Sequence, residues 1–294
     1  WNPEFLAEGT ALHDSLAPDR IVIGASSKES ADSLLEAYAP LVADGIPVLV
    51  TDLETAELVK VASNSFLATK ISFINAVAEV AELSGANAGD LALAMGMDSR
   101  IGSKFLRNGV GYGGGCLPKD VRSFIAQGNE LGAQGIPAIL DAVESVNAGR
   151  RNRVTELALK ILGGLAGKRI TVLGAAFKPN TDDIRDSPGL QIAMELSSRG
   201  ADVVVHDPIA LPRVRDAHPE LTCEANLELA VAGADLIILA TEWNDYSTQA
   251  PTILRPLVRQ ANVIDGRKAL DLTAWRQAGF SVAQLGASSD DHQR

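Results

Sequence analysis

"ITVLGAAFKPNTDDIRDSPG", residues 170–189, decides how the second half of this 294-residue chain folds. A short β-branched run ends at Gly174, a long turn follows, and Ser187-Pro188-Gly189 opens the helical stretch "SPGLQIAMELSSRG" at 187–200. A strand that ends in glycine ahead of a helix suggests a dinucleotide turn. The fingerprint fails here, because Ala175, Ala176 and Phe177 follow Gly174 where further glycines are needed. Asp207, closing "VVVHDP", has the placement of a ribose-binding acid but lies too far from Gly174. The stretch therefore reads as a nucleotide-type sheet without its dinucleotide loop, presenting Phe177 and Lys178 instead. An ordinary α/β sheet with no ligand is the plainer alternative.

Downstream, strand-like runs "DVVVHD" (202–207), "DLIILAT" (235–241) and "NVIDG" (262–266) alternate with helical stretches, including "LELAVAGA" (227–234). This is an open α/β sheet. The end, "GASSDDHQR" (286–294), is polar and expected to fray. Upstream, "RIVIGA" (20–25), "SADSLLEAYAPLVADG" (30–45) and "IPVLV" (46–50) repeat the β-α-β pattern. Between the two blocks, "TDLE" (51–54) is a capping box of Thr51 and Glu54. The helix it opens meets no breaker until Ser84-Gly85, roughly thirty residues or about 45 Å. Helices of that length join domains or form oligomer interfaces. "AGDLALAMG" (88–96), "PKDVRSFIAQGNELG" (118–132) and a run from 136 to about 161 are helical as well.

The length suggests about two domains, and 46% hydrophobic residues supply a core. A net charge of −11 speaks against nucleic acid and anionic membranes as partners, though not against a small anionic ligand held by a few local cations. Apolar runs are strand-sized, far short of a membrane span. With no signal peptide evident and two distant cysteines, a cytoplasmic protein with reduced thiols is expected. The opening "WNPEFLAEG" has no initiator Met and reads as a loop, so a fragment is expected.

Two motifs carry chemistry. In "GYGGGCLPKD" (111–120), Pro118 suits a first helical position, which sets Cys116 just outside a helix N-terminus, where unpaired N–H groups and the helix dipole favour thiolate. Gly113, Gly114 and Gly115 leave the backbone bare, so a ligand can approach closely. Asp120, at the third helical position, is either a favourable first-turn charge or an acid/base partner one turn from the sulfur. Cys223 in "LTCEA" reads as core or strand. On the long helix, Lys60 and Asn64 share a face with Val59, Ala62, Phe66 and Leu67, which partly buries it. A desolvated lysine serves as a base or an oxyanion partner; an ordinary surface lysine is the alternative.

Six stretches in order, "NPEFLAEGTA" (2–11), "ELVKVASNSFLATKISFINAVAE" (57–79), "GMDSRIGSKFL" (96–106), "GVGYGGGCLPKD" (109–120), "GAAFKPNTDDIRDSP" (174–188) and "VIDGRKALD" (263–271), resemble the nucleotide-sugar dehydrogenases. The resemblance implies an α/β fold: a remnant of an N-terminal NAD-binding Rossmann domain (1–52), a long helix with a helical dimerisation and catalytic region (53–150), and a Rossmann-like UDP-sugar domain (151–294). It implies NAD as cofactor, UDP-glucose as substrate with GDP-mannose as the alternative, a homodimer through the central helix, and no metal. In this family a thiol adds to the aldehyde formed by the first oxidation, which makes the second hydride transfer possible. Cys116 is then the nucleophile. Lys60, Asn64, Asp120, Glu8 and Glu4 handle protons, oxyanions and substrate position. Phe5, Leu6, Arg107, Tyr112, Gly113, Phe177, Lys178 and Arg267 line the substrate pocket, Arg100 reaches into a neighbouring subunit, and Arg185 faces NAD. Two rivals stand beside this reading. One is a single-step β-hydroxyacid or 6-phosphogluconate dehydrogenase, which shares the Lys/Asn pair but needs no cysteine. The other is a binding module that holds UDP-sugar and dimerises without turnover.

Overall fold

The structure, a computed structural model, describes residues 1–287. The chain opens with a strap, residues 1–10, which leads into α1 (Ala11–Leu16). Then come β1 (Ile21–Gly24), α2 (Lys28–Ala37), α3 (Ala39–Ala43) and β2 (Val48–Thr51). The single helix expected over 30–45 is broken at Tyr38, because Pro40, the second residue of α3, has no N–H to continue the helical ladder back to Glu36. β1 and β2 pair in parallel, and Ile21, Ile23 and Ala31 anchor a small core between them and α2.

α4 (Leu53–Ser84) runs 32 residues without Gly or Pro and stops where Gly85 turns left-handed. Its N-cap is Asp52, whose carboxylate accepts from the Thr55 N–H at 2.7 Å, so the cap lies one residue beyond the expected Thr51–Glu54 box. α5 (Ala88–Gly96) follows, then α6 (Leu117–Glu130) and α7 (Gly135–Leu162). α7 continues unbroken through the expected boundary at 150, carrying Gly149 inside it, and stops at Gly163, which is again left-handed. Small residues on the buried face of α4, Ser65, Ala68, Ser72 and Ala78, let α6 and α7 approach closely. The Ser72 hydroxyl donates to the Val143 carbonyl at 2.9 Å across this contact. Ala62 and Phe66, read as part of the half-buried Lys60 face, are exposed.

The remaining elements are β3 (Arg169–Leu173), α8 (Pro188–Ser198), β4 (Asp202–His206), α9 (Leu211–Ala217), β5 (Thr222–Cys223), α10 (Leu227–Val231), β6 (Leu236–Leu239), α11 (Asn244–Ser247), α12 (Pro251–Leu254), β7 (Asn262–Asp265), α13 (Leu272–Gln277) and β8 (Ser281–Gln284). The strands form one parallel sheet in the order β5-β4-β3-β6-β7-β8. Counted from β3, that is the 3-2-1-4-5-6 order of a doubly wound dinucleotide fold, and it puts a crevice at the switch point where β3 and β6 end. The central strands are buried on both faces, as helix-covered parallel strands must be, with the second half of α7 and α8 packed on them. Gly286, expected to fray, is anchored by its N–H to Glu82 at 2.7 Å; the rest of that expectation, residues 288–294, lies outside the described residues. Among the described residues no helix is long and apolar enough to cross a membrane.

Candidate active site

Residues 106–116 thread between the helices and the sheet, and buried polar side chains hold their backbone at almost every step. Asn75 of α4 accepts from the Gly109 N–H at 2.8 Å, and Asn108 donates to the Leu285 carbonyl at 3.0 Å. Val110 bonds to the Gly266 carbonyl at 3.1 Å. Asn147 of α7 takes both ends of Tyr112, accepting from its N–H at 2.9 Å and donating to its carbonyl at 3.1 Å.

The glycines were expected to leave space for a ligand, and the structure corrects this. A Cβ on Gly113 would strike the Asp186 carbonyl, one on Gly114 the Phe177 ring at 2.7 Å, and one on Gly115 the Arg185 guanidinium. The side chains are missing because the loop at 177–188 needs the room. With the Gly114 N–H bonded to the Arg185 carbonyl at 2.8 Å, the glycines form the seam between helical region and sheet.

At the end of the seam, Cys116 is exposed and caps α6. Leu117 is the first helical residue and Pro118 the second, so Asp120 falls in the fourth position, not the third. Its N–H bonds back to the Cys116 carbonyl at 3.0 Å within the helix. Its carboxylate is buried, accepts from Asn64 Nδ2 at 2.6 Å and pairs with Lys119 at 3.1 Å. Cys116 and Asn64 are thus joined through Asp120. One turn before Asn64, the Lys60 side chain is only 16% exposed; its Nζ donates to the Glu4 carbonyl at 2.5 Å and pairs with Glu4 Oε1 at 3.1 Å. The strap then crosses to the sheet. Phe5 lies under the Arg20 guanidinium at 3.8 Å, and the Leu6 N–H donates to Glu4 Oε2 at 2.6 Å. The Glu8 carboxylate accepts from the Thr181 hydroxyl, while the Glu8 carbonyl accepts from Lys178 Nζ at 2.5 Å. The strap therefore brings Glu4 to Lys60, and Glu8 to the loop that packs on Gly113, Gly114 and Gly115.

The other expected residues have varied surroundings. Tyr112 does not line a pocket: it is buried with Ala68, Val121, Leu140 and Val143, and its hydroxyl donates to Glu144 at 2.6 Å. Burial, and then that carboxylate, push its phenol well above the usual range. Gly113 is covered by Asp186, as described. Arg267 is committed inside the protein, to the carbonyls of Ala240 (2.7 Å), Gly111 (3.1 Å) and Phe177 (3.2 Å) and to Glu242 at 3.3 Å. Desolvation pulls its pKa down while Glu242 opposes the shift. Arg107 is exposed and donates to the Lys268 carbonyl at 2.8 Å. Arg100 points outward, 87% exposed, gripped by Asp98 at 2.6 Å. Asp207 is no ribose acid: its carboxylate accepts from the N–H groups of Ala175, Ala176, Ile209 and Ala210 and from the Trp243 indole at 2.8–3.1 Å. Cys223 lies in β5, and desolvation raises its pKa.

Asn147, Thr181 and Asp183 shape the site and were not singled out by sequence. Thr181 and Asp183 stand in "NTDDIRD", but nothing local marks which acid turns inward. Among the described residues no His, Cys, Asp and Glu side chains gather as a metal site.

Three domain models of one family cover most of the chain. The NAD-binding domain of the UDP-glucose/GDP-mannose dehydrogenase family matches residues 1–42, its central domain 54–149 and its UDP-binding domain 171–272. A UDP-glucose 6-dehydrogenase of Rickettsia felis is 42% identical over 98% of this chain and 65% of its own length. One from Bacillus subtilis is 38% identical over 97% of this chain and 64% of its own. A solved UDP-glucose dehydrogenase from Pyrobaculum islandicum superposes with a TM-score of 0.87 at 40% identity, covering 97% of this chain and 63% of that one. The chain thus spans just under two thirds of these relatives. With its switch-point sheet, its helix-borne lysine and asparagine and its cysteine at the head of α6, it belongs to the UDP-glucose/GDP-mannose dehydrogenase family.

Proposed function

We propose that this chain carries the substrate-handling part of an NAD-dependent UDP-glucose 6-dehydrogenase, which converts the C6 hydroxymethyl of UDP-glucose into the carboxylate of UDP-glucuronate. The observation that carries this reading is the connection of exposed Cys116 through buried Asp120 to Asn64, one helical turn from Lys60. The uridine diphosphate lies at the switch point, by Phe177 and Lys178, whose loop the buried Arg267 braces through the Phe177 carbonyl. The sugar reaches toward Cys116 beneath the strap, with Phe5, Leu6 and Arg107 along its path. Arg100 serves the site of a second copy, and the homodimer forms along α4, whose Phe66, Phe73 and Val80 are exposed at seven-residue spacing. NAD, when bound, accepts the hydrides. Arg185 is suited to meet it, since Asp183 engages Nε and Nη2 and leaves Nη1 without a partner among the described residues.

The chain's own groups do the rest. Lys60, with Asn64 and Asp120, takes the C6 hydroxyl proton and steadies the oxygen. The resulting aldehyde lacks a hydride donor until the Cys116 sulfur adds to C6, forming a thiohemiacetal whose C–H can be oxidised to a thioester. Water then attacks the thioester carbon as Glu8 takes one of its protons; the C–S bond breaks, the Cys116 sulfur leaves as thiolate, and Asp120 relays the second proton as the carboxylate forms. Calorimetric titration of the chain with UDP-glucose and with GDP-mannose tests the substrate. Heat from UDP-glucose is expected, and tighter binding of GDP-mannose overturns the assignment. The second reading, binding without turnover, applies to this chain alone; NADH formation by it unaided would overturn that.

A further inference from the structure

The loop that fills the glycine seam is itself organised around one buried carboxylate. Asp183, with its side chain 8% exposed, grips Arg185 with both oxygens: Nε donates at 2.9 and 3.1 Å, Nη2 at 2.7 Å, and the Arg185 backbone N–H at 3.0 Å. The grip turns the guanidinium onto the bare backbone of Gly115, where no other residue type leaves room for it, beside Cys116. The backbone of Asp183 is fixed as well. Its N–H is accepted by the Thr181 hydroxyl at 3.1 Å, that hydroxyl donates to Glu8, and its carbonyl accepts from the Phe177 N–H at 3.1 Å. One residue therefore ties together the strap, the Phe177 loop and the guanidinium at the cysteine.

We infer that Asp183 is a positioning residue that aims the Arg185 guanidinium at the Cys116 sulfur, so that negative charge arising there meets a fixed cation. The rationale is geometric. Arg185 is 68% exposed at its side chain, and a long exposed side chain samples many rotamers unless a partner holds it. A bidentate carboxylate selects one, and here the selected one covers Gly115. The inference rests on the reading of Cys116 as nucleophile, but its test needs neither nucleotide nor turnover.

The experiment measures how fast Cys116 is alkylated by iodoacetate, an anion, relative to iodoacetamide, which is neutral, at one pH, with peptide mass spectrometry assigning the site. Because both reagents attack the same sulfur, their ratio reports the local charge and not the general reactivity of the thiol. Cys223, half-buried in β5, is the internal control for unfolding. In Arg185→Gln the ratio is expected to fall about fivefold, the effect of one unit charge near contact distance in water. Asp183→Asn is expected to fall comparably, the double variant no further than Arg185→Gln alone, and Asp183→Glu to recover part of the loss. An unchanged ratio in Arg185→Gln overturns the proposal whatever Asp183→Asn does, including failing to fold. So does an additive double variant. Absence of UDP-glucose binding alongside a fallen ratio would instead remove the dehydrogenase reading and leave the positioning role standing.

Discussion

Asp207 and Asp120 are both almost wholly hidden from solvent, and the fold uses them in opposite ways. Asp207, at the end of β4, is surrounded by five N–H donors from three segments of the sheet domain, and these complete its coordination. Asp120 has one amide, from Asn64, and one flexible ammonium, from Lys119, whose side chain is 72% exposed. A carboxylate saturated with fixed donors is a structural hub. A carboxylate with acceptor capacity left over, beside an exposed thiol, is available to a reacting group. The same contrast separates their surroundings: fixed N–H donors close the space around Asp207, whereas the last glycine before Cys116, Gly115, is covered by one exposed side chain, that of Arg185.

The largest expected effect breaks the pair on the open side. Asp120→Asn should lower kcat for NADH formation in the complete enzyme by about a thousandfold, the scale of a lost general acid/base group. The melting temperature of this chain should move by no more than about 2 °C, because one amide contact is replaced by another. A large loss of stability with unchanged kcat would make Asp120 a second Asp207. The next effect lies on the closed side. Asp207→Asn presents an NH₂ group to donors that need an acceptor, and is expected to cost about 3 kcal/mol of unfolding free energy by urea denaturation. Retention of full stability would mean that the five contacts are not a hub.

The same comparison explains what the sequence made legible. The sheet domain was readable because its central strands are continuous apolar runs, and α4 because its stop at Gly85 is local. The residues of the chemistry were readable as types at spacings: Cys116 ahead of Pro118, and Lys60 four before Asn64. What was not readable depends on partners distant in sequence. β5 has two residues and is a strand only because β4 pairs with it. Gly113, Gly114 and Gly115 look like space for a ligand until the loop seventy residues on is seen to occupy it. Tyr112 looks like a pocket aromatic, and only the position of α7 turns it inward to Glu144. Asp182 and Asp183 are adjacent and chemically identical. The backbone sends one out to Arg213 and the other in to Arg185, a choice made by tertiary contacts that no local pattern encodes.

The smallest expected effect probes how dry the closed side is. His206 precedes Asp207 and is buried against Tyr246, with Nδ1 2.8 Å from the phenolic oxygen, which in turn donates to the His206 carbonyl at 3.1 Å. Desolvation holds the imidazole below its ordinary value of 6.5, although Asp207 and then the Ala225 carbonyl pull the other way. The native state therefore keeps the ring neutral where the unfolded chain takes up a proton. By linkage, this contribution to stability is complete above about pH 6.5 and is lost as the pH falls below it toward the native pKa. His206→Gln removes the titration while keeping a polar side chain. The melting temperature of the wild-type chain should fall more steeply between about pH 7 and about pH 5 than that of the variant. Parallel curves would mean that water or the neighbouring carboxylates screen the ring, and that the region around Asp207 is less closed than its hydrogen bonds make it.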